Sequence, residues 1–146
     1  MNRLSGQCHC GNIAFTFETE LSADTLPLRR CSCDFCNRID GLYTSDPLGH
    51  LAVTLSNGSN IYRFGHQTAD FHICPDCGCM PIITCDISNE IKAVVNARMI
   101  TSVDIDLERA APFDTNHEST EERLTRRSST WIGTVQLHGP RQCSKP

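Results

Sequence analysis

Clustered cysteines constrain this chain more than any other feature of its sequence. Seven of the ten cysteines in the 146 residues form three groups: Cys8 and Cys10; Cys31, Cys33 and Cys36; Cys74 and Cys77. Cysteines separated by only one residue bridge each other poorly, because the closed ring is strained, whereas both sulfurs of a C-x-C or C-x-x-C turn can face one ion. No hydrophobic signal segment precedes Cys8, so the pattern favours thiolate metal ligands over a disulfide framework.

Composition limits the remaining classes of protein. The length suits one ordinary domain with a real core. A formal net charge of −4 lacks the basic surface that a nucleic-acid-binding protein needs. The sequence contains no run of 18 apolar residues that would cross a membrane. We therefore expect a soluble, cytoplasmic protein without nucleic-acid or membrane partners.

The three groups of thiols divide most simply as four plus three. The C-x-C and C-x-x-C groups are each followed by a glycine, Gly11 or Gly78, which allows the tight turn that directs backbone amides toward the sulfurs. Two such turns are the usual halves of a structural zinc site, here Cys8, Cys10, Cys74 and Cys77. Cys31, Cys33 and Cys36 then remain with three sulfurs, and zinc with three protein ligands keeps a position open for water or substrate.

Other partitions of the potential ligands stay open at the level of sequence. Cys79, Cys85 or His72 can complete a second closed structural site around the central three thiols. A lone cysteine is most often buried as a small apolar side chain, which is the expectation for Cys85 and Cys143. The charged residues that flank the central cluster either orient a substrate or are solvated loop residues; they are Asp34, Arg38 and Asp40.

Alternating apolar residues predict a mainly β domain with short antiparallel strands. Strands are expected at 13–18, 42–44, 82–85 and 91–97, and a hairpin is expected to join 51–55 to 61–64 through Asn57-Gly58. The segment 118–127 has only one apolar residue, Leu124, so it predicts a surface helix. The domain is expected to span 1–136, with its core at 4–100, and 137–146 to be a C-terminal tail.

Three ordered motifs resemble those of a known family. They are Gly6-Gln7-Cys8-His9-Cys10-Gly11, Cys31-Ser32-Cys33-Asp34-Phe35-Cys36 and Cys74-Pro75-Asp76-Cys77-Gly78. Together they are similar to the glutathione-dependent formaldehyde-activating enzyme family, also called the S-(hydroxymethyl)glutathione synthase or centromere protein V family. The resemblance implies the zinc-containing β-tent fold. It also implies two Zn²⁺ ions, a structural one held by Cys8, Cys10, Cys74 and Cys77 and a catalytic one held by Cys31, Cys33 and Cys36.

The sequence departs from the family pattern at two positions. Ser32 stands where many members have histidine, and Cys79 stands where threonine or another small residue is common. Neither change removes a ligand. Both lie close enough to the cysteine clusters to alter a substrate pocket.

Two functions follow from these residues and the resemblance. The first is a zinc-dependent carbon–sulfur lyase or synthase that acts on an adduct between a small thiol, glutathione by resemblance, and an aldehyde. A thiol coordinated to Zn²⁺ loses its proton readily, and this prepares it as a nucleophile. The alternative is a non-enzymatic zinc-binding domain in which both sites are structural and the surface serves protein interaction.

Overall fold

The computed structural model describes residues 1–143, with side chains as far as Arg141, and this part of the chain forms twelve strands and two α-helices. The helices are α1 (Asp34–Ile39) and α2 (Thr120–Thr130). The strands are β1 (Asn2–Gln7), β2 (Ile13–Thr19), β3 (Arg29–Cys31), β4 (Leu42–Thr44), β5 (His50–Leu55), β6 (Ser59–Tyr62), β7 (Asp70–Ile73), β8 (Ile82–Ile87), β9 (Glu90–Asn96), β10 (Ala111–Phe113), β11 (Thr134–His138) and β12 (Arg141–Cys143).

The strands divide between two sheets. The first has the order β1-β2-β5-β11, and the second has the order β10-β3-β4-β9-β8-β7-β6-β12. Most neighbours are antiparallel, but β11 on β5, β10 on β3 and β12 on β6 are parallel. The prediction of a mainly β protein with short antiparallel strands is confirmed.

The second sheet is buried on both faces because its two longest strands alternate between two cores. Ile82 of β8 and Val95 of β9 pack with Phe17 and the rest of the first sheet. Their neighbours Ile83 and Val94 point the other way, into a second cluster built around aromatic residues. Successive side chains of a strand point to opposite faces, so one pair of strands supports both cores. The second core is the one beside the cavity described below.

The predicted hairpin between β5 and β6 is wrong, although its turn exists. Gly58 has a φ of +80° and its N–H donates to Leu55 O at 3.1 Å. However, β5 pairs with β2 and β11, whereas β6 pairs with β7 and β12. Asn12 explains the divergence, because its side chain donates to Gly58 O at 2.9 Å and accepts from the N–H of Asn57. The turn therefore carries the chain from one sheet to the other.

The C-terminal segment that was expected to be a tail continues into the sheets. Leu137 and His138 complete β11, where they pair with Val53 and Thr54. β12 then pairs with β6 through the register Cys143↔Ile61. These pairings satisfy backbone groups that a free tail would leave to water. The side chain of Cys143, expected to be isolated from the other thiols, lies outside the described residues.

The helices are short. Ser119 and Glu122 form a capping box that starts α2, with Glu122 N to Ser119 Oγ and Ser119 N to Glu122 Oε1 both at 3.1 Å. α2 leads to Trp131 and Ile132, which are buried against the two cores. Among the described residues, no helix is both long and apolar enough to cross a membrane.

Buried His72 gives the domain a pH-dependent stability. Its Nδ1 lies 2.9 Å from Ser59 Oγ, its Nε2 lies 2.8 Å from Thr84 Oγ1, and burial lowers its pKa to about 4. The unfolded chain, with an ordinary histidine pKa, binds a proton that the folded protein excludes between about pH 6.5 and pH 4. Stability is therefore lost as the pH falls through this window, by about 2 kcal/mol between pH 7 and pH 5.

Urea unfolding at pH 7 and pH 5 tests this origin of the pH dependence. The wild type should lose about 2 kcal/mol more than His72→Gln across that interval, since glutamine does not titrate. His50→Gln, which changes an exposed histidine on β5, is the matched control and should behave as the wild type. Equal losses in wild type and His72→Gln would contradict the assignment to His72.

Candidate active site and metal centres

A cluster of four thiols joins the two sheets. Its members come from the loop after β1 and the loop after β7, and their sulfurs all lie within 4.8 Å of one another: Cys8, Cys10, Cys74 and Cys77. Cys10 Sγ is 3.8 Å from Cys8 Sγ and 3.6 Å from Cys74 Sγ. Four sulfurs bound to a tetrahedral Zn²⁺ at about 2.3 Å would be about 3.8 Å apart. The donor set and its spacing therefore fit a tetrahedral ion.

Backbone amides of both loops face these sulfurs. Ile13 N–H donates to Cys8 Sγ at 3.3 Å, and the N–H groups of Asp76 and Cys77 donate to Cys74 Sγ at 3.4 Å. Such donors stabilise negative charge on sulfur, which is the form that binds a metal. Gly11 and Gly78 close the two turns with φ values of +88° and +81°, a region that disfavours residues with a Cβ.

Asn12 supports this cluster from outside and was missed from the sequence. It is 7% exposed, and its Nδ2 lies 3.4 Å from Cys74 Sγ while also bonding Gly58 O. One side chain thus connects the first loop, the second loop and the turn between the sheets. The only sequence signal is its place directly after Gly11.

Three further thiols form a second cluster at the start of α1. The sulfurs of Cys31, Cys33 and Cys36 lie within 4.8 Å of one another. Cys31 ends β3, Cys33 precedes the helix and accepts from Cys36 N–H at 3.4 Å, and Cys36 is buried in the first turn. Hydrogen bonds from Cys31 and then Cys36 lower the pKa of the Cys33 thiol to about 2, whereas hydrogen bonds to Cys31 and then Cys33 raise the pKa of Cys36. The cluster therefore favours a thiolate at Cys33 and suits a divalent cation.

Tyr43 completes the inner wall of this cluster and is a second residue that the sequence did not identify. Its hydroxyl lies 3.1 Å from Cys36 Sγ, and its side chain is buried. Burial, followed by the charge of Cys36, raises its pKa above the usual range. Tyr43 therefore remains a phenol, which can donate its proton to Cys36 Sγ when that sulfur is a thiolate.

The residues considered as a fourth ligand lie elsewhere. Both ring nitrogens of His72 bond hydroxyl groups, and Cys85 Sγ is 3.5 Å from Arg127 Nη1. Cys79 packs on the first core next to the four-thiol cluster without belonging to it. Within the described part of the chain, no histidine, cysteine or acidic atom joins Cys31, Cys33 and Cys36 as a fourth member.

The three thiols open into a cavity of about 470 Å³. Its volume lies in the range of small-molecule sites. Aromatic rings form much of the wall, and arginines from β3 and α2 form another part. Its polar and aromatic lining residues are Arg29, Cys31, Cys33, Asp34, Cys36, Tyr43, Phe64, His66, Thr68, Phe71, Phe113, Thr115, Asn116, Arg123, Arg126, Arg127 and Trp131.

The charged residues that flank the central cluster in the sequence separate in space. Asp34 lines the cavity, but Arg38 does not. Asp40 pairs with Arg30 and with Arg98, whose Nη2 lies 2.5 Å from Asp40 Oδ2, also away from the cavity wall. Exposed His66 lines the cavity and its Nδ1 lies 2.6 Å from Thr120 Oγ1. Of the three charged residues that flank the cluster in the sequence, only Asp34 therefore lines the cavity.

The surface helix expected at 118–127 is the largest difference between sequence and structure at this site. Arginines of α2 face the cavity, and Arg127 is only 7% exposed. The guanidinium of Arg127 lies 4.8 Å from the Trp131 ring centre, and that of Arg126 lies 5.1 Å from the Phe113 ring centre. Aromatic faces accept guanidinium groups, so a helix with few apolar residues can still pack.

Fold and thiols together define a mainly β domain with one four-thiol and one three-thiol cluster, both able to hold a metal ion. Within that class, the model of the glutathione-dependent formaldehyde-activating enzyme family matches residues 3–116, and the chain belongs to this family. The matched range contains all seven clustered cysteines and ends before α2.

A solved structure is also similar to this chain over about three quarters of its length. A Rhodobacter sphaeroides protein of known crystal structure is 28% identical, and the match covers 76% of this chain and 99% of that chain with a TM-score of 0.57. No curated protein matches the chain.

Proposed function

We propose that the protein is a zinc-dependent carbon–sulfur lyase or synthase acting on the adduct of a small thiol, of the glutathione type, with formaldehyde. The observation that carries the proposal is the three-thiol cluster at the wall of a 470 Å³ cavity, with no fourth ligand from the described residues. A metal site with three protein ligands is the arrangement of a catalytic zinc, whereas four ligands are typical of a structural one. Membership of the family supplies the class of substrate.

The two clusters take different roles in this proposal. Cys8, Cys10, Cys74 and Cys77 hold a structural Zn²⁺, and Cys31, Cys33 and Cys36 hold a catalytic one. When bound at the second site, zinc supplies a position that keeps a substrate thiol deprotonated and near the aldehyde. In the synthesis, a carbon–sulfur bond forms between the substrate sulfur and the carbonyl carbon, and the thiol proton ends on the carbonyl oxygen. Cleavage is the reverse.

Residues of the chain itself prepare the site for this chemistry. The Tyr43 hydroxyl, 3.1 Å from Cys36 Sγ, can donate to that sulfur once it is a thiolate and so spread part of the negative charge of the cluster. Phe35 contacts Tyr62, Phe64 and Phe71 with ring centres 5.0 to 5.4 Å apart, and this aromatic cluster keeps water from the side of the thiols next to α1. Phe64 and Phe71 also line the cavity, so an organic substrate meets an apolar wall there.

Exchange spectroscopy by NMR tests the activity directly. Formaldehyde and glutathione form their adduct spontaneously, so the measured quantity is the rate of exchange between free and adduct-bound formaldehyde. Zinc-loaded protein should accelerate the exchange by at least about tenfold, and Cys33→Ser should abolish the acceleration. Cys79→Ser, which changes a half-buried thiol outside both clusters, should retain it.

Cobalt substitution separates this proposal from a protein with two structural sites. Adding glutathione should change the visible absorption of Co²⁺ bound at Cys31, Cys33 and Cys36, since an open coordination position can accept its thiol. A protein with two metals bound, no spectral response to thiols and no accelerated exchange would refute the enzyme and favour a zinc-binding domain with two structural ions.

A further inference from the structure

The cavity beside the three thiols carries more positive charge than the protein neutralises. Arg29 enters from β3, and Arg123, Arg126 and Arg127 enter from α2. Arg126 and Arg127 follow Arg123 by three and four residues, so both lie beside Arg123 on the helix surface. α2 lies beyond the residues that match the family model, whereas Arg29 lies within them.

The acidic residues of the site account for only part of that charge. Glu118 binds Arg126 through both carboxylate oxygens, at 2.9 and 3.0 Å. Asp34 is the acidic side chain that lines the cavity among the described residues. Arg29, Arg123 and Arg127 have no carboxylate partner in the described part of the chain. Four guanidinium groups thus face two carboxylates, and the three thiolates with one Zn²⁺ would add one net negative charge, which leaves about one positive charge.

Arg127 is the most deeply buried of these cations. One terminal nitrogen lies 2.9 Å from Thr68 Oγ1 and 3.5 Å from Cys85 Sγ. Its Nε is buried without a hydrogen-bond partner among the described residues, and so is the Nε of Arg123. Burying an unpaired charge or donor is costly, and an anion bound in the cavity beside these two guanidinium groups would offset part of that cost.

The chemistry of the donors selects a planar anion. A guanidinium presents parallel N–H groups that match the two oxygens of a carboxylate. Neutral polar groups also line the cavity: Asn116, Thr68 and Thr115. Thr68 accepts from Arg127 at 2.9 Å, and Thr115 accepts from Arg123 through Oγ1 at 3.3 Å and through its carbonyl oxygen at 2.8 Å. The thiols and the arginines share this one space, so a molecule bound there can present sulfur to one and carboxylate to the other.

We infer that Arg123 and Arg127 bind a carboxylate of the substrate thiol, and that this contact makes the protein selective for anionic over neutral thiols. The inference rests on the proposed function for its thiol, but the carboxylate contact is independent of any reaction. Arg29, which donates to Ser45 Oγ, adds positive potential from β3. Arg126 is less available because Glu118 already occupies its two donors.

Calorimetric binding to the zinc-loaded protein tests the inference without any turnover. The probe is S-methylglutathione, which keeps both carboxylates and has no free thiol, and its diethyl ester has neither carboxylate. The wild type should bind the acid at least about tenfold more tightly than the ester, and Arg127→Met and Arg123→Met should each lose about 10- to 100-fold for the acid. Neither variant should change the affinity for the ester.

Matched variants distinguish a direct contact with the carboxylate from an effect of net charge and from unfolding. Arg38→Met makes the same change of net charge on an exposed residue outside the cavity, and should bind the acid as the wild type does. Arg127→Lys keeps the charge but loses the paired donors, so it should recover only part of the affinity. Circular dichroism identifies any variant that has unfolded, and Arg123→Met, whose side chain is less buried, then carries the test.

The outcomes distinguish this inference from the proposed function. Equal binding of acid and ester by the wild type would overturn the carboxylate contact, even if exchange of formaldehyde is accelerated. Inorganic phosphate that binds more tightly than the acid would also overturn it, because the site would then be one for phosphate. Selective, arginine-dependent binding of the acid without accelerated exchange would uphold the contact and refute the enzyme.

Discussion

Cys77→Ser should unfold the domain, whereas Cys33→Ser should leave it folded with one metal ion fewer. The four-thiol cluster joins the loop after β1 in the first sheet to the loop after β7 in the second. A structural Zn²⁺ held by this cluster would supply about 10–16 kcal/mol, which equals or exceeds the stability of an ordinary domain. We expect Cys77→Ser to lose about 5 kcal/mol or more, equivalent to a fall in Tm of about 10–20 °C or to loss of the folded state.

The three-thiol cluster does not connect the two sheets. Its cysteines lie within one short segment, 31–36, and they face the cavity instead of joining the sheets. Cys33 is half-buried at the start of α1, so serine fits in its place with little loss of packing. Elemental analysis of Cys33→Ser should find about one zinc per chain and the wild type about two, with similar unfolding transitions by circular dichroism.

Cys79→Ser is the control for both changes. It removes a thiol two residues after Cys77 that belongs to neither cluster, so both metal content and Tm should stay close to the wild type. A fall in Tm of equal size for Cys33→Ser and Cys77→Ser would refute the division into a structural and a catalytic centre. Loss of metal from Cys79→Ser would show that the fifth thiol is a ligand.

The thiol clusters were predictable from sequence because their geometry is local. In a C-x-C-G or C-x-x-C-G turn, the backbone conformation that directs two sulfurs to one point is set within about five residues. The four-plus-three division needed only one further step, the pairing of two similar turns. The structure assembles the same groups, Cys8, Cys10, Cys74 and Cys77 in one and Cys31, Cys33 and Cys36 in the other.

The wrong hairpin shows where local pattern stops being informative. The segment around Asn57-Gly58 has the turn chemistry that the sequence predicts. Whether the flanking strands pair depends on Asn12, 45 residues earlier, and on β11, about 80 residues later, which takes the free edge of β5. Tertiary contacts of this kind override a turn signal, and the sequence of the turn does not reveal them.

The arginines were missed for a different reason. A run of charged residues on a predicted helix is usually a solvated face, and nothing in 118–127 distinguishes Arg127 from its neighbours. Its burial depends on the position of Trp131 and on the cavity that β3, β8 and β9 form on the other side. Tyr43 was missed likewise, because a strand residue contacts a cysteine seven positions away only after β4 has paired with β3.

Gly6→Ala should destabilise the domain by about 3 kcal/mol or more, although the same change at Gly78 should cost only about 1–2 kcal/mol. β1 lies against the segment after β9, where Gly6 bridges Ile100 and Thr101 N–H donates to Ser5 O at 2.9 Å. A Cβ on Gly6 would overlap Met99 O and lie 2.8 Å from Met99 C. Backbone cannot rotate away as a flexible side chain can, so the two segments must separate.

Gly78 is required for its conformation alone. Its φ is +81°, and no atom lies within 4 Å of the position that a Cβ would take. Gly65 is the matched control, since it also has a positive φ, +59°, and open space, but lies outside the cysteine motifs. Urea unfolding of the three alanine variants should rank Gly6 far above Gly78 and Gly65, which should be similar. Equal losses at all three positions would contradict a steric role for Gly6, and would mean that β1 can move away from Met99 without loss of the fold.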